Sequence, residues 1–188
     1  AMMTDLENVA FNYSDSDVNI LNNGHTVQVN YDEGSSVEID GHVYNLLQFH
    51  FHSPSEHAAD GTLYPAEMHL VHADADGNLA VVGVFITEGA ENAAFAPVWE
   101  NLPAEATEAI ATGMVVNATS LLPAEKIIYR YNGSLTTPPC SEDVLWSVME
   151  MPVEMSAEQI TMFTDIFEGN NRPLQSLNDR DLQLDSTP

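Results

Sequence analysis

The chain has 188 residues, 44% of them hydrophobic, with 29 acidic against 4 basic side chains and a formal net charge of −25. Such a length and apolar share suit a single domain spanning residues 1–188 around a substantial core. The charge repels nucleic acid and anionic lipid and so excludes both as partners. No run reaches the roughly 20 apolar residues of a membrane helix; the longest, 79–86, is broken by Gly83. Acid in this excess belongs on a solvated surface and serves solubility or tolerance of salt. Residues 1–17 have neither the basic opening nor the apolar core of an export signal, and the single Cys140 excludes a disulfide within the chain.

Short apolar or alternating runs between turn signals predict the strands in chain order. The first two, 17–21 and 26–31, are separated by the turn at Asn22, Asn23 and Gly24; a third, 36–39, follows Asp32, Glu33 and Gly34. Then come 42–52, 66–73 and, after the turn at 74–77, 79–86; the last are 126–132 and 143–149. Most are expected to pair antiparallel. Helical periodicity is convincing at 90–101 and at 156–167, where Ser156 can cap and Ile160, Phe163 and Phe167 share a face. The fold class is mainly β (α+β).

Chemistry enters with the strand 42–52. Side chains alternate along a strand, so Gln48, His50 and His52 project from one face and Leu47, Phe49 and Phe51 from the other. On 66–73, Glu67, His69 and Val71 share a face opposite Met68, Leu70 and His72. Side-by-side pairing of these strands brings a third imidazole to the first two. Three neutral imidazoles leave the fourth tetrahedral position of Zn²⁺ open to water, the arrangement of a catalytic metal rather than a structural one. Each ligand needs its second ring nitrogen anchored, and Gln48 and Glu67, two residues before a ligand on the same face, can supply the acceptors. A His-x-His pair alone is a weak signal, because histidines on strands are commonly structural. Its conjunction with Glu-x-His and shared parity is what points to a metal. His42 and His72 gain nothing from the pattern.

Several stretches together resemble the α-class carbonic anhydrases of bacteria. They are AsnAsnGlyHis at 22–25, GlnPheHisPheHis at 48–52, SerGluHis at 55–57, AlaGluMetHisLeuValHis at 66–72, LeuAlaValValGly at 79–83, GlySerLeuThrThrProProCys at 133–140 and AsnArgPro at 171–173. The resemblance implies a large, mostly antiparallel central sheet with a few short peripheral helices. It implies one Zn²⁺ on His50, His52 and His69 and the reversible hydration of carbon dioxide to bicarbonate and a proton, a hydro-lyase activity. Thr136 matches the threonine whose hydroxyl accepts a hydrogen bond from the nucleophile on zinc, and Glu56 the carboxylate that orients it. Val71, Val81, Leu135, Val144 and Trp146 match the apolar wall where carbon dioxide sits, with Thr137 at its edge, and His25 matches the proton shuttle. Sulfonamide and anion inhibitors, a homodimer, and a periplasmic or secreted location are further implications.

The sequence departs from that family ahead of Asp5, where relatives carry several tens of residues, among them, in many bacterial members, a cysteine bridged to the position of Cys140. Two alternatives remain open at this level. One is a non-catalytic relative that keeps the fold as a binding module. The other is a cupin-type metal oxygenase, because His50, His52 and Glu56 satisfy the core of that pattern, although Tyr44 and Leu63 stand where its glycines belong.

Overall fold

The structure, a computed structural model, describes residues 1–4, 6 and 8–185. Its strands are β1 (Met2–Thr4), β2 (Ala10–Asn12), β3 (Asp15–Asn22), β4 (Val27–Asn30), β5 (Ser36–Ile39), β6 (His42–His52), β7 (Ala58–Ala59) and β8 (Thr62–Leu63). They continue with β9 (Ala66–Ala73), β10 (Leu79–Glu88), β11 (Ile110–Asn117), β12 (Ile128–Ser134), β13 (Glu142–Met149), β14 (Val153–Met155) and β15 (Gln183–Asp185). The helices are α1 (Ala96–Trp99) and α2 (Ala157–Thr164), with 3₁₀ turns at Ala93–Phe95 and Ala118–Leu121.

Among the described residues, 13 strands form one sheet in the order β1-β15-β12-β13-β10-β9-β6-β4-β3-β11; β14 joins β10, β5 joins β6 and β2 joins β5. Pairing is antiparallel except for β1 with β15 and for β10 with β13 and β14. The sheet therefore agrees with the large, mostly antiparallel architecture expected, with β6, β9 and β10 at its centre.

Alternation along those central strands divides the apolar residues between two faces. Phe49, Phe51, Met68, Leu70, Val82, Val84 and Ile86 enter the main core, closed from outside by Phe95, Val98, Trp99 and Phe163. Each such side chain contributes roughly 1.5–3 kcal/mol by leaving water. Facing the other way, Val71, Val81, Phe85, Val144, Trp146 and Val148 form a second, smaller cluster. The register opposes Val81 to both Val71 and Trp146, which sets the three side by side. α2 lies on the main core, held by a capping box in which the Ser156 hydroxyl accepts from Gln159 N–H while the Gln159 side chain accepts from Ser156 N–H.

The structure corrects the sequence reading in three places. Leu47 is exposed at 48% rather than in the core. A bulge between Leu46 and Gln48 leaves it without a partner on β9, so Leu46 takes the buried position and the alternation restarts at Gln48. The helix expected at 90–101 is a 3₁₀ turn followed by the four residues of α1; Pro97 has no N–H to extend an α-helix backwards and restricts the residue before it. Strand β11, absent from the sequence reading, is an edge strand interrupted by Gly113 at φ 76° and by a register shift, so its alternation is blurred.

Candidate metal centre

β6 and β9 lie side by side with His50 opposite His69 and His52 opposite Glu67. Opposed residues of an antiparallel pair project to the same face, so three imidazoles meet. Their ring centroids stand 5.0 Å apart for His50 and His52, 5.4 Å for His50 and His69, and 4.7 Å for His52 and His69. One nitrogen of each lies within 4.8 Å of the other two.

Which nitrogen each ring offers follows from the partner of the other. His50 Nδ1 is 2.8 Å from Gln48 Oε1, His52 Nδ1 is 3.1 Å from the Asn170 backbone oxygen, and His69 Nε2 is 3.0 Å from Glu67 Oε1. These oxygens can only accept, so the three nitrogens donate, and a neutral ring then keeps its lone pair at His50 Nε2, His52 Nε2 and His69 Nδ1. Burial first, then repulsion from the neighbouring rings, holds the His50 pKa well below the usual histidine value and brings that of His52 down to about 4. That is the neutral state a metal requires. His52 Nε2 is buried without a hydrogen-bond partner, an arrangement that costs about 1–3 kcal/mol if nothing fills it. Three converging lone pairs, one of them orphaned, fit a tetrahedral Zn²⁺ ion with its fourth position open.

Behind His69 the carboxylate of Glu67 gathers four donors. Oε1 accepts from His69 Nε2 and from His57 Nδ1 at 2.6 Å; Oε2 accepts from the backbone N–H groups of Glu56 and His57, both at 2.9 Å. Burial alone pushes its pKa up, but the charge and hydrogen bond of His57, helped by the hydrogen bond from His69, win and hold it well below the usual carboxylate range. Burial likewise opposes protonation of His57, and the charge and hydrogen bond of Glu67 overcome it, raising the His57 pKa. Tyr131 closes the chain, its hydroxyl 2.6 Å from His57 Nε2. His57, Glu67 and His69 also offer ligand atoms close together, yet these contacts satisfy them internally and leave a relay of hydrogen bonds rather than a second cage. Gly83 makes room for it: a Cβ there would stand 3.0 Å from Glu67 Oε1.

The remaining expected site residues divide between a cavity, an apolar cluster and exposed turns. Glu56 and Thr136 line one cavity of about 590 Å³ together with His57 and Arg172. No hydrogen bond joins Glu56 to Thr136 among the described residues. Glu56 Oε1 instead accepts from the Arg172 backbone N–H at 2.6 Å and lies 3.4 Å from His52 Nδ1, while Oε2 is buried without a partner. Val71, Val81, Val144, Trp146 and Leu135 come together in the smaller apolar cluster, which abuts the imidazoles through Trp146, its ring centroid 4.8 Å from that of His69. Thr137 is exposed beside that cluster's Leu135 end, and its carbonyl accepts from Cys140 N–H. His25 sits on the exposed turn between β3 and β4. His42 is exposed, while His72 is fully buried on the opposite face of β9 from the imidazoles, with Nε2 2.8 Å from Tyr13 Oη and Nδ1 3.3 Å from the Ala80 oxygen.

Four contributors carry no periodic signal and escaped the sequence reading. Asn170 and Arg172 lie in a stretch between α2 and β15 without regular structure, and His57 and Tyr131 meet across 74 residues. Arg172 and His57 do lie within the AsnArgPro and SerGluHis motifs at 171–173 and 55–57, and Asn170 directly precedes the first, but those motifs assign them no role.

On fold and site the chain is a β-sheet protein whose three anchored imidazoles could hold a metal ion. The sequence profile of the eukaryotic-type carbonic anhydrase family matches residues 1–186, and the chain belongs to that family. A carbonic anhydrase of Nostoc sp. is 46% identical over 170 residues, 90% of this chain and 64% of its own length. The chain thus spans a little under two thirds of the length of the carbonic anhydrases of Nostoc sp. and Pectobacterium carotovorum. Among solved structures, a hyperthermostable carbonic anhydrase identified from an active hydrothermal vent chimney is 49% identical with a TM-score of 0.94, over 98% of this chain and 84% of that one. The α-carbonic anhydrase of Thermovibrio ammonificans, in complex with the inhibitor sulfanilamide, is 43% identical with a TM-score of 0.94, over 97% and 81%. The cupin alternative falls with this membership; the third imidazole beside His50 and His52 comes from His69 of β9, and Glu56 stands behind His52.

Proposed function

We propose that the chain catalyses the reversible hydration of carbon dioxide to bicarbonate and a proton, with Zn²⁺ held by His50 Nε2, His52 Nε2 and His69 Nδ1. The observation that carries this reading is the meeting of three lone-pair nitrogens with an apolar cluster that touches them through Trp146. When bound, the ion supplies Lewis acidity that makes water nucleophilic at neutral pH, an effect for which carbonic anhydrase is itself the reference case.

This chain's own groups do the rest. Gln48, Glu67 and the Asn170 carbonyl fix the three rings by their outer nitrogens, so that no ring has to reorient during the reaction. Val71, Val81, Leu135, Val144 and Trp146 offer carbon dioxide an apolar wall whose one side-chain donor, the Trp146 indole N–H, is committed to the Ser134 oxygen, so water is poorly held there. Thr137 marks its edge. Glu56 Oε2, buried without a hydrogen-bond partner and lining the same cavity as Thr136, can accept the Thr136 hydroxyl proton once the two side chains close on each other. The Thr136 oxygen is then left to accept from the reacting water and to aim one of its lone pairs at the carbon. Carbon dioxide and water give bicarbonate and one proton, and the proton leaves through a ring nitrogen of His25 to buffer.

Stopped-flow hydration of carbon dioxide by the zinc-loaded protein tests the reading. Catalysis that sulfanilamide suppresses is the expected result. A zinc-loaded protein no faster than buffer alone would instead favour a carbonic anhydrase-like binding module.

A further inference from the structure

We infer that Asn170 is a positioning residue that holds the proton carrier His25 at a fixed place relative to the metal ligand His52. The inference rests on the proposed hydration reaction and on His25 as its shuttle.

Asn170 spends every polar group it has on four residues, His25, Phe51, His52 and Ser53. Its backbone oxygen accepts from His52 Nδ1 at 3.1 Å, and its N–H donates to the Ser53 oxygen at 3.1 Å. Its side-chain Oδ1 accepts from Ser53 N–H at 2.8 Å. The two protons of Nδ2 go to the Phe51 oxygen at 3.0 Å and the His25 oxygen at 2.9 Å. The orientation of this amide is not free: reversing it would set Nδ2 against a donor and Oδ1 against two carbonyls. One residue thus clamps the end of β6 that carries His52 and bonds the His25 turn to the same clamp.

That turn is also anchored at its ends, where Asn22 Nδ2 donates to the Pro103 oxygen, the Asn22 oxygen accepts from Thr107 N–H and Thr26 Oγ1 accepts from Phe51 N–H. Asn23 Oδ1 accepts from His25 N–H and Thr26 N–H, both at 2.9 Å, which shapes the turn without placing it. Thr26 Oγ1 reaches the Phe51 oxygen. Asn170 Nδ2 supplies the bond at His25 itself. A proton relay depends on separation steeply, and a misplacement near 1 Å can cost about 100-fold in rate, so a residue that fixes the turn fixes the relay. Because Asn170 ligates His52 through its backbone, its side chain can be altered without removing the acceptor that orients the metal ligand.

Asn170→Asp is the informative variant, since the carboxylate keeps the shape and the bond from Ser53 N–H but cannot donate to His25 or Phe51. Asn170→Ala serves as the second variant should the carboxylate disturb folding. Three readouts are needed: turnover in dilute buffer with and without added imidazole, kcat/KM, and amide hydrogen exchange at residues 23–26 in the metal-free protein. Bicarbonate departure closes the steps in kcat/KM, whereas proton removal enters kcat alone.

The expected result is a low-buffer kcat down about tenfold or more, restored by imidazole, with kcat/KM within about twofold and faster exchange in the turn. Unchanged exchange and unchanged kcat would overturn the inference. So would a parallel fall of kcat and kcat/KM that imidazole does not rescue, because Asn170 would then act through His52. His25→Ala separates the two levels. If it leaves low-buffer kcat intact, the shuttle reading fails and this inference with it; if it slows turnover while Asn170→Asp does not, only the role of Asn170 fails.

Discussion

The two faces of β6 and β9 use one alternation for opposite ends. On one face Phe49, Phe51, Met68 and Leu70 enter a core of many interchangeable apolar contacts; on the other, His50, His52 and His69 converge, each orientation set by a single acceptor. Apolar packing tolerates substitution in proportion to volume, whereas a ligand set fails when one member is lost. Even the same residue type divides this way. His69 points to the site and offers a lone pair, while His72, three positions on, faces the other way and fills both its nitrogens with Tyr13 and Ala80.

The largest expected effect tests the site face. Losing an outer-shell partner of a ligand costs about 10–100-fold in metal affinity, and losing the ligand itself exceeds that. His50→Ala should therefore release zinc in chelator competition while its denaturation midpoint, measured without metal, stays close to that of the parent. A variant that retains zinc at parental affinity would break the assignment of this face.

The core face should answer in the opposite sense. Phe51 is fully buried against Phe49, Phe95, Trp99 and Phe163. Phe51→Ala is expected to cost about 3–5 kcal/mol in denaturant unfolding, with zinc binding preserved wherever the protein remains folded.

His72 makes the contrast dependent on pH. Burial, offset in part by hydrogen bonds to backbone oxygens, brings its pKa down to about 4 from 6.5. The unfolded chain takes up a proton below 6.5 that the folded state refuses until about 4, so this residue's contribution is intact above that window and lost as pH falls through it. The loss approaches about 3 kcal/mol at its lower end. In metal-free protein, His72→Gln should flatten the pH dependence of stability between 6.5 and 4, with the depressed His50, His52 and Glu67 among the groups that supply the slope that remains. Parallel curves for parent and variant would show that His72 takes no part.

What the sequence revealed of this arrangement follows from strand geometry. A period of two is legible wherever a strand is regular, so the shared face of His50 and His52, and that of Glu67 and His69, could be read directly. The strands themselves were found within one or two residues where turn residues bound them, as at Ser36–Ile39 and Ala66–Ala73. Asn170 and Arg172 were not legible because they act from irregular backbone, partly through main-chain groups that every residue possesses. The hydrogen-bond relay through His57 was hidden for another reason: its partners Glu67 and Tyr131 come from different strands, and nothing local to His57 announces them. Parity also fails where a bulge inserts a residue, and Leu47 is the instance.

Leu47 gives the smallest expected effect and the sharpest division between pattern and structure. Counting back from Phe51 and Phe49 by twos places Leu47 in the core, where truncation would cost about 2–5 kcal/mol. The bulge instead turns it outward at 48% exposure, and Leu46 fills the buried place at 2%. Leu47→Ser should therefore change the unfolding free energy by no more than about 0.5 kcal/mol, while Leu46→Ser, which leaves a hydroxyl in an apolar pocket, costs several times that. Equal effects at the two positions would mean that the bulge is absent and that Gln48 and the ligands beyond it are reached by a different register. The smallest free-energy change in the series thus checks the alignment on which the metal centre depends.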